Sequence, residues 1–367
     1  MKISIYPLKP NDIKLLDQAQ TLYSVDFRAI AESMKYEIAS MWKYENLTPW
    51  LTRNKYVTVN EDYCLINYPF ENKYLILDKA ADAKTSVYKR LDVCMPEEIK
   101  KLWVAVPHPD ADRLARGRRL KLNYSYQSFR KRNNKILQKK YLGDLTPRWT
   151  IIKGREHLND LIKSKGDGYI KRAEGSGGYA VFKVSEIKNN RQFNQLLQQQ
   201  ENSVRWYCEE TVVGTPYSIQ CLKEGNTIKI FGFAKQRVTE GKHFSGAEIL
   251  DLRQLRGVVK AQSIKSLRRL YPLLKGYEGF FGIDFILKKN GEMKILEANI
   301  RLTAVTIPTL LNNMAGSVGS KFREDNKEAN IKKDEMVLTV DMSNNLRDTL
   351  SSGRQSGSLN LTQKILK

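Results

Sequence analysis

Three polar side chains interrupt one long apolar segment of the sequence. Asp284 lies in the strand-like stretch FFGIDFIL, and Glu297 and Asn299 lie in EMKILEANI, which follows the turn sequence KKNG. Strand residues two apart share a face, and a hairpin that turns at KKNG sets Asp284 roughly opposite Glu297. Two carboxylates and an amide suit a hard, octahedral Mg²⁺ ion. The alternative is that these three side chains simply face solvent.

Arg301 follows two residues after Asn299 and shares its face if the strand continues. A guanidinium beside a metal site suits a transferring phosphoryl group or a substrate carboxylate. The alternative is that Arg301 only neutralises Asp284 and Glu297.

A second informative stretch is GYIKRAEGSGGYAVFKV, residues 168–184. One alternating strand ends at Lys171, and another begins after a glycine-dense loop. A hairpin needs only two turn residues, whereas this connection spans about seven. Such a permissive loop costs backbone entropy, and one reason to keep it is a backbone that must lie against a phosphate. We therefore expect a phosphate site here.

Composition excludes several classes of protein. The chain has 367 residues, and no apolar run approaches the roughly 18 residues of a membrane span. The N-terminus has no signal-peptide pattern. The four cysteines show neither metal spacing nor C-x-x-C pairing, which favours a reduced, cytoplasmic protein.

The net charge of +22 can indicate a partner such as nucleic acid, an anionic membrane surface or small anionic substrates, or it can reflect only a general bias toward lysine. The basic residues cluster at 113–122 and 129–140. No nucleic-acid-binding module surrounds them, which argues against nucleic acid as the main partner.

The pattern of elements divides the chain into three parts. Residues 1–122 mix helical and strand patterns and predict a small α/β domain without a dinucleotide fingerprint. Residues 123–320 are rich in strands, and SFRKRNNKILQKKYLG within them predicts a helix that stops at Gly143. Residues 321–367 form a charged extension whose last part reads as a flexible linker.

Together these motifs resemble the ATP-grasp superfamily of ADP-forming carboxylate–amine ligases. Lys171 before its glycine-rich loop is similar to the family's phosphate-contacting lysine. RWYCEETVVGTPYSIQ (205–220) resembles the hydrophobic strand, acidic hinge and following strand that hold adenine, and FGIDF with LEANIRLT resembles the metal motif. The resemblance covers residues from about 128 to about 315.

The resemblance implies an α+β (α/β) ATP-grasp fold, in which two α+β subdomains enclose ATP, preceded by a smaller α/β domain. It implies a carbon–nitrogen ligase that uses ATP and Mg²⁺, or Mn²⁺, and joins an amino acid or small peptide to an amine through an acyl phosphate. A homodimer is compatible with the family. No membrane partner is expected.

The resemblance also implies roles for individual residues. Lys131, with Lys135 as the competing choice, would contact phosphate. Glu209 would accept a hydrogen bond from the adenine amino group, whereas Pro216 stands where many members carry a ribose-binding acid. The remaining implied roles are loop backbone over the phosphates for Ser176, Gly177 and Gly178, adenine contacts for Thr211 and Val212, metal ligation for Asp284, Glu297 and Asn299, and catalysis for Arg301, Lys171 and Arg237.

Three alternatives stay open. Lys235 and Arg237 could form an ordinary exposed basic loop instead of contacting the γ-phosphate or the substrate carboxylate. The enzyme could modify a ribosomal peptide or a protein tail. The chain could also be a non-catalytic nucleotide- or nucleic-acid-binding protein, although it keeps Lys171 and the three expected metal ligands.

Overall fold

The computed structural model describes part of the chain, including nearly all of residues 109–314. The described residues are 1–8, 21–24, 56–59, 64–67, 86–89, 100–104, 107, 109–164, 167–174, 181–189, 205–239, 243–255, 257–314, 319–326, 335–341 and 346–352. The expected phosphate loop with Ser176, Gly177 and Gly178 lies outside these ranges. The expected flexible C-terminal part, after residue 352, lies outside them too.

The strands are numbered in chain order. They are β1 Lys2–Ile5, β2 Thr21–Ser24, β3 Tyr56–Val59, β4 Cys64–Asn67, β5 Ser86–Lys89, β6 Lys101–Val104, β7 Lys121–Leu122, β8 Trp149–Ile151, β9 Gly168–Arg172, β10 Val181–Lys183, β11 Trp206–Glu210, β12 Thr215–Glu224, β13 Thr227–Thr239, β14 His243–Leu250, β15 Gly279–Leu287, β16 Met293–Asn299, β17 Gly319–Asn326, β18 Glu335–Asp341 and β19 Leu346–Ser352.

The helices are numbered in the same way. The α-helices are α1 Pro109–Gly117, α2 Tyr126–Arg132, α3 Lys135–Leu142, α4 Arg155–Ser164, α5 Gly257–Leu274 and α6 Thr306–Met314, and short 3-10 turns lie at Gly143–Leu145, Val184–Asn189 and Leu252–Gln254. None of the helices in the described part of the chain combines the length and the apolar character needed to cross a membrane.

The large sheet has nine strands in the order β16-β15-β12-β13-β14-β17-β19-β18, with β1 paired to β13. Its β15–β16 hairpin has the register that the KKNG turn predicts, since Asp284 pairs with Glu297 and Gly282 pairs with Asn299. One face of the sheet packs on α3 and α5 through a large apolar core that includes Phe281. The carboxylate-bearing strands β15 and β16 thus lie at one end of the large sheet and pack against this core.

The small sheet is antiparallel, in the order β10-β9-β11-β8. Its strands alternate, so that Ile170 and Cys208 enter an apolar core under α4. Lys171 pairs with Tyr207, and both therefore point to the opposite face, which Glu209 shares because it lies two residues after Tyr207. This polar face is what the small sheet contributes to the candidate site.

A third sheet, in the order β5-β4-β3-β2-β6-β7, occupies the N-terminal region and mixes parallel with antiparallel pairs. The first strand of the chain does not join it. Instead, Lys2–Ile5 runs parallel to β13 in the large sheet, and the following Leu8 is fully buried in the large core. The N-terminal residues thus pack against the large sheet, which belongs to the region where the sequence predicts nucleotide binding.

Two local features differ from the sequence-based expectations. The single predicted helix before Gly143 is two helices, because Asn134 begins α3 as an N-cap whose side chain accepts a hydrogen bond from Leu137 N. The charged extension contains the strands β17, β18 and β19, which lengthen the large sheet beyond β14. In β18 the apolar, β-branched run MVLTV favours a strand, although the surrounding charges obscure it.

The contact between α6 and β13 gives a test of this packing. A Cβ on Gly232 would lie 2.4 Å from Thr309 Cγ2, so α6 would have to move. We expect Gly232→Ala to lower the free energy of unfolding by about 1–3 kcal/mol, as overpacking does. Denaturant titration measures it. Gly117→Ala is the control, since its Cβ would meet nothing within 4 Å, and an equal loss there would contradict the packing described.

Candidate functional site

Asp284, Glu297 and Asn299 come together on one face of the large sheet. Asn299 Nδ2 donates to Asp284 Oδ2 at 2.9 Å and to Glu297 Oε1 at 3.2 Å. Gln236 Nε2, on β13, donates to the other oxygen of Asp284 at 3.0 Å. These three side chains are thus half-buried and hydrogen-bonded to one another.

The two carboxylates differ in their electrostatic surroundings. Burial and the neighbouring Glu297 charge raise the pKa of Asp284. Burial alone would raise the pKa of Glu297 as well, but the Lys135 ammonium outweighs it and lowers that pKa. Lys135 Nζ lies 2.8 Å from Glu297 Oε2. The two carboxylates thus lie close together, with Lys135 and Arg301 as neighbouring cations.

Arg301 joins this cluster through Asn299. Its Nη2 donates to Asn299 Oδ1 at 3.0 Å, and its Nη1 donates to the Leu302 carbonyl at 2.9 Å. The guanidinium is buried and interacts electrostatically with Glu297 and Asp284. Asn299 consequently presents its amide nitrogen to the carboxylates and its oxygen to Arg301.

A second cluster surrounds Glu209 on the small sheet. Glu209 is 2% exposed, and its carboxylate forms ion pairs with Lys139 and with Lys171, the latter at 2.6 Å. Burial would raise the pKa of Glu209, but the two ammonium groups outweigh that effect and lower it. Lys139 is itself buried, and burial lowers its pKa although Glu209 opposes the shift. Its Nζ lies 5.4 Å from the centroid of the Tyr207 ring.

Helix α3 connects the two clusters. Lys135 and Lys139 are four residues apart and share a face of the helix. The first pairs with Glu297 on the large sheet, and the second pairs with Glu209 on the small sheet. The Lys135 backbone N–H also donates to the Ala173 carbonyl at 2.8 Å, just beyond β9. One turn of helix therefore places two cations between two acidic groups on facing sheets.

The structure separates the competing lysines. Lys131 is exposed at the end of α2, whereas Lys135 is buried and contacts the carboxylate cluster. Lys139 was not predicted, although its spacing of four from Lys135 places it on the same side of the helix.

Lys235 and Arg237 flank the residue that reaches the site. Because strand side chains alternate, Gln236 faces Asp284 and its two neighbours point to the opposite face of β13, where both are exposed. The structure therefore does not bring Arg237 to the carboxylate cluster.

The expected adenine hinge follows β11. Thr211 and Val212 are half-buried there, whereas the next residue, Val213, is 79% exposed. Within the described part of the chain, the Thr211 hydroxyl and the Tyr207 hydroxyl are buried without a hydrogen-bond partner. A buried polar group without a partner is costly and favours a site that a polar ligand completes.

Sequence comparison identifies the central part of the chain. A family model described as the ATP-grasp domain matches residues 127–305. Residues 127–305 therefore form an ATP-grasp domain. The match covers the α2–α3 segment, the small sheet and the metal-motif hairpin, and it confirms the family and the class of ATP-dependent ligase that the motifs predict. No curated protein sequence matches the chain.

Solved structures with the ATP-grasp fold are similar over most of the chain. N5-carboxyaminoimidazole synthase from Aspergillus clavatus, in complex with ADP and 5-aminoimidazole ribonucleotide, has a TM-score of 0.55 and 11% identity, and 92% of this chain and 95% of that one are covered. Biotin carboxylase from Campylobacter jejuni, in complex with β,γ-ATP, has a TM-score of 0.53 and 13% identity, over 70% and 71%. These similarities confirm the α+β fold.

A third similar structure is a putative ATP-grasp superfamily protein from Archaeoglobus fulgidus. Its TM-score is 0.51 at 12% identity, and 91% of this chain and 99% of that one are covered. The similarity thus extends beyond the matched domain into the flanking residues.

The buried ion pairs of Glu209 give a stability test. Lys139→Met removes one of its two cations, so we expect a loss at the lower end of about 3–5 kcal/mol, because Lys171 still pairs with Glu209. Chemical denaturation of the ligand-free protein measures it. Lys140→Met is the matched control on the exposed side of α3, with an expected change within about 0.5 kcal/mol. Equal losses in the two variants would contradict the buried pair.

Proposed function

We propose that this ATP-grasp protein is a cytoplasmic, ADP-forming ligase that joins a carboxylate to an amine, with an amino acid or a small peptide as substrate. The observation that carries the proposal is the juxtaposition, through α3, of buried lysines with a pair of close carboxylates. Lysines of this kind suit the phosphates of ATP, and the carboxylates suit the metal that accompanies them.

The lysine side of the site is arranged for a polyanion. Lys135, Lys139 and Lys171 converge from a helix and a strand, and each pairs with a carboxylate of the protein. Phosphate oxygens can take over these ion pairs, because charge-assisted hydrogen bonds to a phosphate are comparable to those with a carboxylate. Glu209 then becomes free to accept a hydrogen bond from the adenine amino group.

The carboxylate side fits Mg²⁺, which would be held by Asp284 and Glu297, with Asn299 as a third ligand. The described residues contain no group of three or more His, Cys, Asp or Glu side chains that could hold a metal, so the two carboxylates need an amide and phosphate oxygens beside them. Asn299 must turn its oxygen toward the ion, because its amide nitrogen faces the carboxylates. When bound, the ion would neutralise charge on the transferring phosphoryl group.

The proposed reaction has two steps. A substrate carboxylate oxygen attacks the γ-phosphorus of ATP, and ADP leaves. The amine nitrogen then attacks the acyl carbon, inorganic phosphate leaves, and the nitrogen loses a proton to solvent. Arg301, which donates to Asn299 beside the carboxylates, would stabilise negative charge on the transferring phosphoryl group. Positioning and electrostatics would then carry the rate.

The identity of the carboxylate is the finer part of the proposal. The similar structures are named for different reactions, including one that involves an aminoimidazole ribonucleotide and one that carboxylates biotin. The amino-acid or peptide class is supported by the resemblance of the sequence motifs to carboxylate–amine ligases. A substrate panel must therefore contain amino acids, short peptides and, for comparison, 5-aminoimidazole ribonucleotide with bicarbonate.

The test is product formation from Mg·ATP in the presence of this panel. We expect ADP and phosphate only when a carboxylate and an amine are both present. Glu297→Gln, which keeps the shape and removes the charge, should lower the rate about 100-fold or more, as losing one preorganised electrostatic group does. Glu292→Gln in the same hairpin is the matched control, because it lies at the exposed turn.

Two results would contradict the proposal. Formation of AMP and pyrophosphate would exclude the acyl-phosphate route. Full activity in Glu297→Gln would remove the carboxylate pair from the reaction.

A further inference from the structure

The free edge of β16 is covered by side chains instead of another strand. Among the described strands, β16 pairs only with β15 and ends the large sheet. Ala298 and Ile300 therefore turn their backbone N–H and C=O groups away from the sheet. An unpaired edge of this kind needs other hydrogen-bonding partners when it is buried.

Asn133 pairs with Ile300. Its Oδ1 accepts from the Ile300 N–H at 2.8 Å, and its Nδ2 donates to the Ile300 carbonyl at 3.3 Å. The same Nδ2 also donates to the Phe129 carbonyl of α2 at 3.1 Å. One primary amide thus bonds both α2 and the residue that directly follows β16.

Gln138 repeats the arrangement at Ala298. Its Oε1 accepts from the Ala298 N–H at 2.8 Å, and its Nε2 donates to the Ala298 carbonyl at 2.6 Å. The second hydrogen of Nε2 goes to the Arg132 carbonyl at 2.8 Å. Gln138 is 1% exposed, so water cannot replace these bonds easily.

The two amides hold together the segments that carry the charged site. Ala298 and Ile300 alternate with Glu297, Asn299 and Arg301 along the chain. Asn133 and Gln138 in turn bracket Lys135, and the next residue after Gln138 is Lys139. A shift of β16 along α3 would therefore change the distance between the lysines and the carboxylates.

We propose that Asn133 and Gln138 are positioning residues, which set the spacing between the phosphate-binding lysines and the metal ligands. The proposal rests on the function proposed above. An alignment role differs from simple protection of a sheet edge in what a substitution changes. Loss of alignment would affect metal-dependent ATP binding more than it affects the stability of the protein. Outer groups that orient metal ligands have such effects in other sites.

The test uses Asn133→Asp and Gln138→Glu, which keep shape but set a carboxylate oxygen against a backbone carbonyl. Gln127→Glu on the exposed face of α2 makes the same chemical change away from β16 and is the matched control. Three quantities are measured for each protein: the ATP affinity in EDTA, the Mg²⁺ concentration that gives half of the metal-dependent increase in ATP affinity, and the midpoint of thermal unfolding. Asn133→Ala is the milder variant if either substitution prevents folding.

We expect the half-saturating Mg²⁺ concentration to rise roughly 10- to 100-fold in the site variants. Their ATP affinity in EDTA should change much less than this, because Lys139 and Lys171 remain paired with Glu209 on the small sheet. The Gln127→Glu variant should match wild type in all three measurements.

Other results would overturn the inference. Unchanged Mg²⁺ dependence in the site variants would show that the amides only cover the edge. A parallel fall in metal-free affinity, Mg²⁺ dependence and unfolding midpoint would show a general structural role. If wild-type protein shows no Mg²⁺-dependent ATP binding, the proposed function itself fails and this inference falls with it.

Discussion

Two carboxylates on adjacent strands, Asp284 and Glu297, impose the constraint on which the rest of the site depends. Their register in the β15–β16 hairpin places them opposite one another, and partial burial makes their mutual repulsion costly. Lys135 offsets this repulsion by pairing with Glu297, and the Asn299 amide lies between the two carboxylates and donates to both. Helix α3 must therefore lie where its first turn reaches the edge of the large sheet.

The same helix serves a second acid four residues later. Lys139 and Lys171 together neutralise Glu209 on the small sheet, so each sheet presents an acid and α3 supplies a cation to both. In the proposed reaction these ion pairs break. The lysines then bind phosphate, Glu297 binds the metal ion, and Glu209 accepts a hydrogen bond from adenine. Because buried ion pairs that lose a partner are costly, we expect the binding of nucleotide and the binding of metal to be coupled.

Local patterns predicted much of this site. The KKNG turn and the period of two give the register of Asp284 and Glu297, and the strand before the glycine-dense loop gives Lys171. Site residues that lie in helices were harder to predict from the sequence. Lys131, Lys135 and Lys139 all lie in basic helices, and only the packing of α3 decides which of them are buried. Whether Arg237 reaches the site depends on which face of β13 turns inward. Asn133 and Gln138 form hydrogen bonds with residues that lie about 160 positions later in the sequence.

The most direct test of this account is a calorimetric titration of Mg²⁺ into the protein, with and without a non-hydrolysable ATP analogue. In the absence of nucleotide, Lys135 forms an ion pair with the Glu297 carboxylate. We therefore predict that the protein binds Mg²⁺ measurably only when the analogue is present. Lys135→Gln should then bring out binding to the protein alone. Equal Mg²⁺ affinity with and without the analogue, or no Mg²⁺ binding under either condition, would contradict the account.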